Sequence, residues 1–124
     1  MLKLLVVDDE VDICDFVKNF FKERDFEVFM AYNGKAALRI VASEDPDIIL
    51  LDMKMPVMDG ITTLKELQNL GKSGKVIVVT AAEDMSKAEE AKRHGVAEYI
   101  TKPLMLEQLE RTVFTVAEQI KMEA

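Results

Sequence analysis

Ile48-Ile49-Leu50-Leu51-Asp52 is the stretch on which the reading of this chain turns. Its apolar side chains run without a polar interruption and stop at a carboxylate. A strand with one wet face alternates apolar and polar residues, whereas an unbroken apolar run is covered on both faces, as in a parallel sheet under helices. Leu4-Leu5-Val6-Val7 and Val76-Ile77-Val78-Val79 are runs of the same kind on either side of it. Glu27 to Ala31 and Glu98 to Thr101 alternate more and read as outer strands.

The segments between these runs carry helical spacing. Ile13, Phe16, Val17, Phe20 and Phe21 form one apolar face, and Ala37, Leu38, Val41 and Ala42 a second. Ile61, Leu64 and Leu67 mark a third helix, with Gly71 and Gly74 as stop signals. Leu106, Leu109, Val113, Val116 and Ile120 give a last helix that runs to about Met122. Ser86 to His94, ended by Gly95, offers only Ala88 and Ala91 as an inward face. Small side chains bury little area, so that helix is expected to be weakly anchored. The strand-helix alternation, repeated without a linker or low-complexity tract, predicts an α/β fold: a parallel sheet between helices joined by right-handed crossovers. In such sheets ligands bind beyond the carboxyl ends of the strands.

Composition sets the outer bounds. The chain has 124 residues, 49% apolar and 31% charged, enough for one core. A net charge of −7 opposes phosphate backbones, so no direct nucleic-acid partner is expected. Cys14 is the single cysteine and allows no intrachain disulfide. Met1 to Val7 runs straight into Asp8-Asp9-Glu10, which is no signal peptide. No apolar run approaches the roughly 20 residues that span a bilayer. A cytoplasmic protein without a membrane partner is the expectation.

The strand ends carry the chemistry. The first ends in Asp8-Asp9, followed by Glu10, and the third in Asp52. The fourth ends in Thr80, followed by Ala81-Ala82, and the fifth in Thr101-Lys102-Pro103. Each residue alone has an ordinary explanation. An Asp pair can cap the following helix, Thr80 can be a satisfied core hydroxyl, and Lys102 a solvated charge. Taken together on one rim, they place several carboxylates opposite one ammonium and one hydroxyl. Like charges about 4 Å apart repel by roughly 4 kcal/mol at a protein-surface dielectric, so the cluster calls for either a further cation or shifted protonation. Oxygen-only ligands suit Mg²⁺, which takes a few carboxylates and keeps part of its water shell.

These stretches resemble the receiver domains of two-component signalling over essentially the whole chain. The matching segments are Leu4 to Glu10, Asp47 to Gly60, Val76 to Ala81 and Gly95 to Pro103. The resemblance implies a doubly wound, flavodoxin-like (βα)5 fold with strand order 2-1-3-4-5 and a receiver domain over 1–124. With the last helix running to about Met122, no output domain is expected within these residues, whether the receiver stands alone or belongs to a longer protein. It implies Asp52 as phosphoacceptor and Asp8, Asp9, Asp52 and the Lys54 backbone carbonyl as Mg²⁺ ligands, with Asp8 acting mostly through water. Lys102 and the Thr80 hydroxyl would bind phosphoryl oxygens, and the Lys102-Pro103 bond would be cis. Pro56 and Gly60 would shape the loop after the acceptor.

The same resemblance implies that Thr80 and Tyr99 switch the face of the fourth helix, fifth strand and fifth helix. Lys54, two residues after the acceptor, would cover the phosphoryl group and slow hydrolysis. The upstream partner would be a sensor histidine kinase or a histidine phosphotransfer protein, the downstream one an unidentified protein target or the next member of a relay. The domain would be a signalling phosphoacceptor rather than a turnover enzyme. An aspartate-nucleophile phosphatase would carry Asp-x-Asp on the first strand. A flavodoxin-like cofactor binder would carry a Ser/Thr/Gly-rich loop where this chain has acids. An adaptor without phosphotransfer would lack part of the residue set.

Overall fold

The computed structural model describes residues 1–55 and 58–123. Five parallel strands form one sheet: β1 (Leu2–Val7), β2 (Phe26–Ala31), β3 (Ile48–Asp52), β4 (Val76–Thr80) and β5 (Glu98–Thr101). Their order is β2-β1-β3-β4-β5, the doubly wound order expected. The helices are α1 (Val11–Lys22), α2 (Gly34–Glu44), α3 (Gly60–Asn69), α4 (Met85–Arg93) and α5 (Leu106–Glu123). Among the described residues, no helix is long and apolar enough to cross a membrane.

The unbroken apolar runs are central strands because each one feeds two cores. Successive side chains point to opposite faces of a sheet. Leu4, Val6, Ile48, Leu50, Ile77, Val79 and Ile100 pack on one face against Val17 and Phe21 of α1 and Leu109, Val113 and Val116 of α5. Leu5, Val7, Ile49, Leu51, Val76 and Val78 pack on the other against Val41 of α2, Leu64 and Leu67 of α3 and Ala91 of α4. Each fully buried Leu, Ile or Val contributes roughly 1.5–3 kcal/mol, so the three middle strands hold the rim firmly.

Helix ends follow local chemistry. Asn33 caps α2 by accepting from the Ala36 amide at 2.8 Å, and Asp59 caps α3 by accepting from the Thr62 amide at 2.8 Å. That amide bond holds the Asp59 carboxyl below its ordinary range. Gly71 and Gly95 follow α3 and α4 with φ of 73° and 77°, a backbone that side chains with a Cβ resist.

The apolar spacing misplaces a few side chains at the margins of these faces. Phe16 is 44% exposed and lies on the flank of α1, stacked on Phe20, while Cys14, Val17 and Phe21 face the sheet. Leu106 is 43% exposed because Met105 to Gln108 all project past the packed layer, so the buried stripe of α5 starts at Leu109. Ala42 is exposed. Phe114 is partly covered, as its place off the Leu106-to-Ile120 stripe predicts, and its ring meets Phe26 edge-on at 5.7 Å. Pro56 lies outside the described residues.

Leu51→Ala is expected to lower stability by about 2–5 kcal/mol in urea unfolding. Leu106→Ala, by contrast, should stay within about 0.5 kcal/mol of the parent.

Candidate functional site

Register builds the site. β1 and β3 are neighbours with Val7 opposite Leu51, so the next residues, Asp8 and Asp52, emerge side by side at the carboxyl edge. Asp9 follows on the same loop. Carboxylate oxygens of Asp8, Asp9 and Asp52 lie within 4.8 Å of one another. Asp8 and Asp52 are each only 3% exposed, whereas Asp9 is open to solvent. A cavity of about 560 Å³ opens over them, lined by Asp9, Glu10, Asp52, Lys54, Met55 and Lys102.

Lys102 arrives from the far side of the sheet. β5 pairs with β4 so that Thr101 stands opposite Thr80, and the Lys102 amide donates to the Thr80 carbonyl oxygen at 2.7 Å. The cis Lys102-Pro103 bond is present. Lys102 Nζ lies 3.3 Å from Asp52 Oδ1. The Lys54 amide donates to the same oxygen at 3.2 Å. Among the described residues, Asp52 Oδ2 therefore has no protein donor.

The acidic pair does not serve the helix that follows it. The N-cap of α1 is Glu10, whose side chain makes no capping bond. Asp8 Oδ1 instead accepts from the Glu10 amide at 2.9 Å, and the Cys14 thiol donates to the Asp8 backbone carbonyl at 3.3 Å. Burial pushes the Cys14 thiol up to about 12, so it stays a neutral donor.

Electrostatics shows a shortage of positive charge. Burial pushes the Asp8 carboxyl up to about 6, the Glu10 amide works against this, and the Asp52 charge adds to it. Burial also raises Asp52, against the pull of the Lys54 amide and the Lys102 ammonium. Among the described residues, Lys102 is the only cation within ion-pair distance of any of the three carboxylates, and it reaches Asp52 alone. A hard divalent cation matches this donor set of clustered oxygens with an open cavity above.

The structure thus brings together Asp8, Asp9, Asp52 and Lys102 as the strand ends suggested, with Lys54, which the resemblance implied, beside them. Thr80 stands on the same rim but faces elsewhere: its buried hydroxyl lies 3.4 Å from both the Ala81 and the Asp84 carbonyl oxygens. Tyr99 is half-buried beneath α4, beside Lys92. Met55 and Cys14 were not foreseen. Met55 sits in an irregular loop where no periodicity assigns a direction, and the Cys14 contact depends on how α1 docks under β1.

Fold and rim together define a class: a doubly wound parallel domain whose carboxyl edge gathers acids around one lysine, fit to hold a cation and an anion side by side. The family model for the response regulator receiver domain matches residues 4–114. Sporulation initiation phosphotransferase F of Bacillus subtilis is 36% identical over 111 residues, covering 90% of each chain. Regulatory protein AtoC of Escherichia coli is 38% identical over 107 residues, which span 86% of this chain but 23% of that protein. A receiver domain protein from Clostridium thermocellum superposes with a TM-score of 0.92 at 28% identity over the full length of both chains. The chain belongs to the response-regulator receiver family of two-component signalling.

The raised acids predict an unusual pH response. The unfolded chain titrates Asp8 near 3.8 and the folded chain near 6. Below both values the group is protonated in either state and has no effect. As pH climbs through this window the unfolded state releases the proton first, so folded stability falls and the loss is complete above the folded value. Without divalent ions, Asp8→Asn is expected to stabilise the fold at pH 7 by on the order of 1–3 kcal/mol and to leave stability near pH 3.5 unchanged. Thermal melts of both proteins from pH 3.5 to 7.5 check this.

Proposed function

We propose that Asp52 accepts a phosphoryl group from a phosphohistidine of a sensor histidine kinase or histidine phosphotransfer protein, and that the modified domain controls a partner or relays the group. The observation that carries this reading is a buried Asp52 with one carboxylate oxygen held by Lys102 and the Lys54 amide, beside two further acids under an open cavity. Asp8, Asp9, Asp52 and the Lys54 carbonyl would hold Mg²⁺. When bound, the ion supplies charge that offsets the acids and the incoming phosphoryl oxygens.

The protein's own residues do the rest. The free oxygen of Asp52 forms the new O–P bond as the P–N bond to the donor imidazole breaks, and the electron pair leaves with the imidazole nitrogen. The transition state has loose bonds and spread negative charge, so its stabilisation is a matter of position and charge. Lys102 is already within ion-pair distance of Asp52 and needs little movement to meet a phosphoryl oxygen. The product carries about −1.5 to −2 charge and three strong acceptors, which draw in the Thr80 hydroxyl from its carbonyl partners. That motion loosens the start of α4 and gives Tyr99 room to turn inward, changing the face of α4, β5 and α5. The domain is in this sense a signalling phosphoacceptor that assists its own phosphorylation and slow dephosphorylation.

Intact mass after incubation with acetyl phosphate and Mg²⁺ tests the reading. One added phosphoryl group, absent with a chelator and in Asp52→Ala, is expected; an unmodified parent protein would overturn it. Millimolar Mg²⁺ should also raise the melting temperature at pH 7 by several degrees, and chelation should reverse the rise. Lys54 lines the cavity, and its ammonium would cover the approach of hydrolytic water. Lys54→Asn is expected to speed loss of the phosphoryl group several-fold, measured as the decay of the phosphorylated mass after donor removal.

A further inference from the structure

Tyr99 is tied to α4 by a charge. Val78 stands opposite Tyr99 and Thr80 opposite Thr101, so alternation puts Thr80, Val78 and Tyr99 on one face of the sheet. That face is the one α4 covers, where Val78, Ala91 and Tyr99 share a core. Lys92 Nζ lies 4.3 Å from the centre of the Tyr99 ring, inside the roughly 6 Å range of a cation–π contact. Glu89, one turn earlier on the same helix, steadies the ammonium with Oε1 at 3.3 Å.

The two ends of α4 are held unequally. At its carboxyl end, His94 Nδ1 meets Gln68 Oε1 of α3 at 2.6 Å, two residues after Lys92. At its start, Asp84 offers no capping bond, and the Asp84 carbonyl oxygen lies 3.4 Å from the Thr80 hydroxyl. Between them only Ala88 and Ala91 are buried, which anchors the helix weakly. Polar contacts at the carboxyl end tie α4 to α3 and to β5, and Lys92 is the one that reaches Tyr99.

We propose that Lys92 is a positioning residue that keeps Tyr99 half-exposed against α4, so that the ring turns inward only when the Lys92 contact breaks. The strength of this contact then sets how far the unmodified domain leans toward its switched form. The role rests on the reading of Thr80 and Tyr99 as a coupled switch. Among the described residues, Lys92 meets Glu89 and Tyr99 rather than the rim, so it acts on phosphoryl binding through Tyr99. By linkage, weakening a contact present only in the resting form must tighten binding of whatever favours the switched form.

The chain has two tyrosines, so Tyr32→Phe with 3-fluorotyrosine labelling leaves one fluorine probe, at position 99. Without any ligand, Lys92→Gln is expected to lower the ring's exposure to a paramagnetic cosolute, whereas Lys92→Arg, which keeps the charge over the ring, should match the parent. With Mg²⁺ and beryllofluoride as the phosphoryl analogue, Lys92→Gln should bind about two- to five-fold more tightly and Lys92→Arg as the parent does. A merely structural Lys92 would shift the melting temperature and leave ring exposure alone. Unchanged ring exposure in Lys92→Gln overturns the proposal. Failure of every variant to bind beryllofluoride instead overturns the phosphoacceptor reading, and the unliganded fluorine measurement still decides the role of Lys92.

Discussion

Everything at the rim depends on three carboxylates forced together by strand register. Asp8 and Asp52 cannot separate, because Leu5, Val7, Ile49 and Leu51 beneath them are locked into the core and paired across neighbouring strands. Their repulsion is only partly met by Lys102, whose hold on Asp52 comes from the opposite edge of the active cleft. Burial makes the shortage worse and shows in the raised Asp8 carboxyl. The folded domain thus stores a demand for positive charge at one point, and hydrophobic burial elsewhere supports it.

Support and response are divided between parts of the molecule. β3 and β4 are buried throughout and β1 from Leu4 onward, and they keep the rim geometry constant. The edge near β5 is different. Its strand is short, its covering helix rests on two alanines, and the Thr80 hydroxyl bonds to loop carbonyls rather than to the rim. A small charge change at Asp52 therefore meets a stiff floor and a loose neighbour. The loose neighbour is where movement costs least.

The likeness to sporulation initiation phosphotransferase F extends over nearly the whole of both chains, while AtoC contains a match in less than a quarter of its length. The same module therefore occurs in a protein of about this size and as a part of a larger regulator. What the rim does chemically is a property of the module. Under the proposed switch, what the signal reaches would depend on the surfaces around α4, β5 and α5, where Lys92, Glu89 and Tyr99 lie.

The alternation of strands and helices, the burial of both faces of the central strands, and the identity of the acids and the lysine are legible in one dimension. These follow from local periodicity and from residue types at strand ends, which survive in one dimension. Strand order came from family resemblance, because runs such as Leu4–Val7 and Ile48–Leu51 do not say which neighbour each will pair with. Folding in three dimensions decides that Phe16 and Leu106 face outward, that the Thr80 hydroxyl looks toward Asp84, and that Cys14 and Lys92 touch Asp8 and Tyr99. Those facts depend on how separate elements dock, and docking is set by the fit of whole surfaces rather than by any residue's near neighbours in the chain.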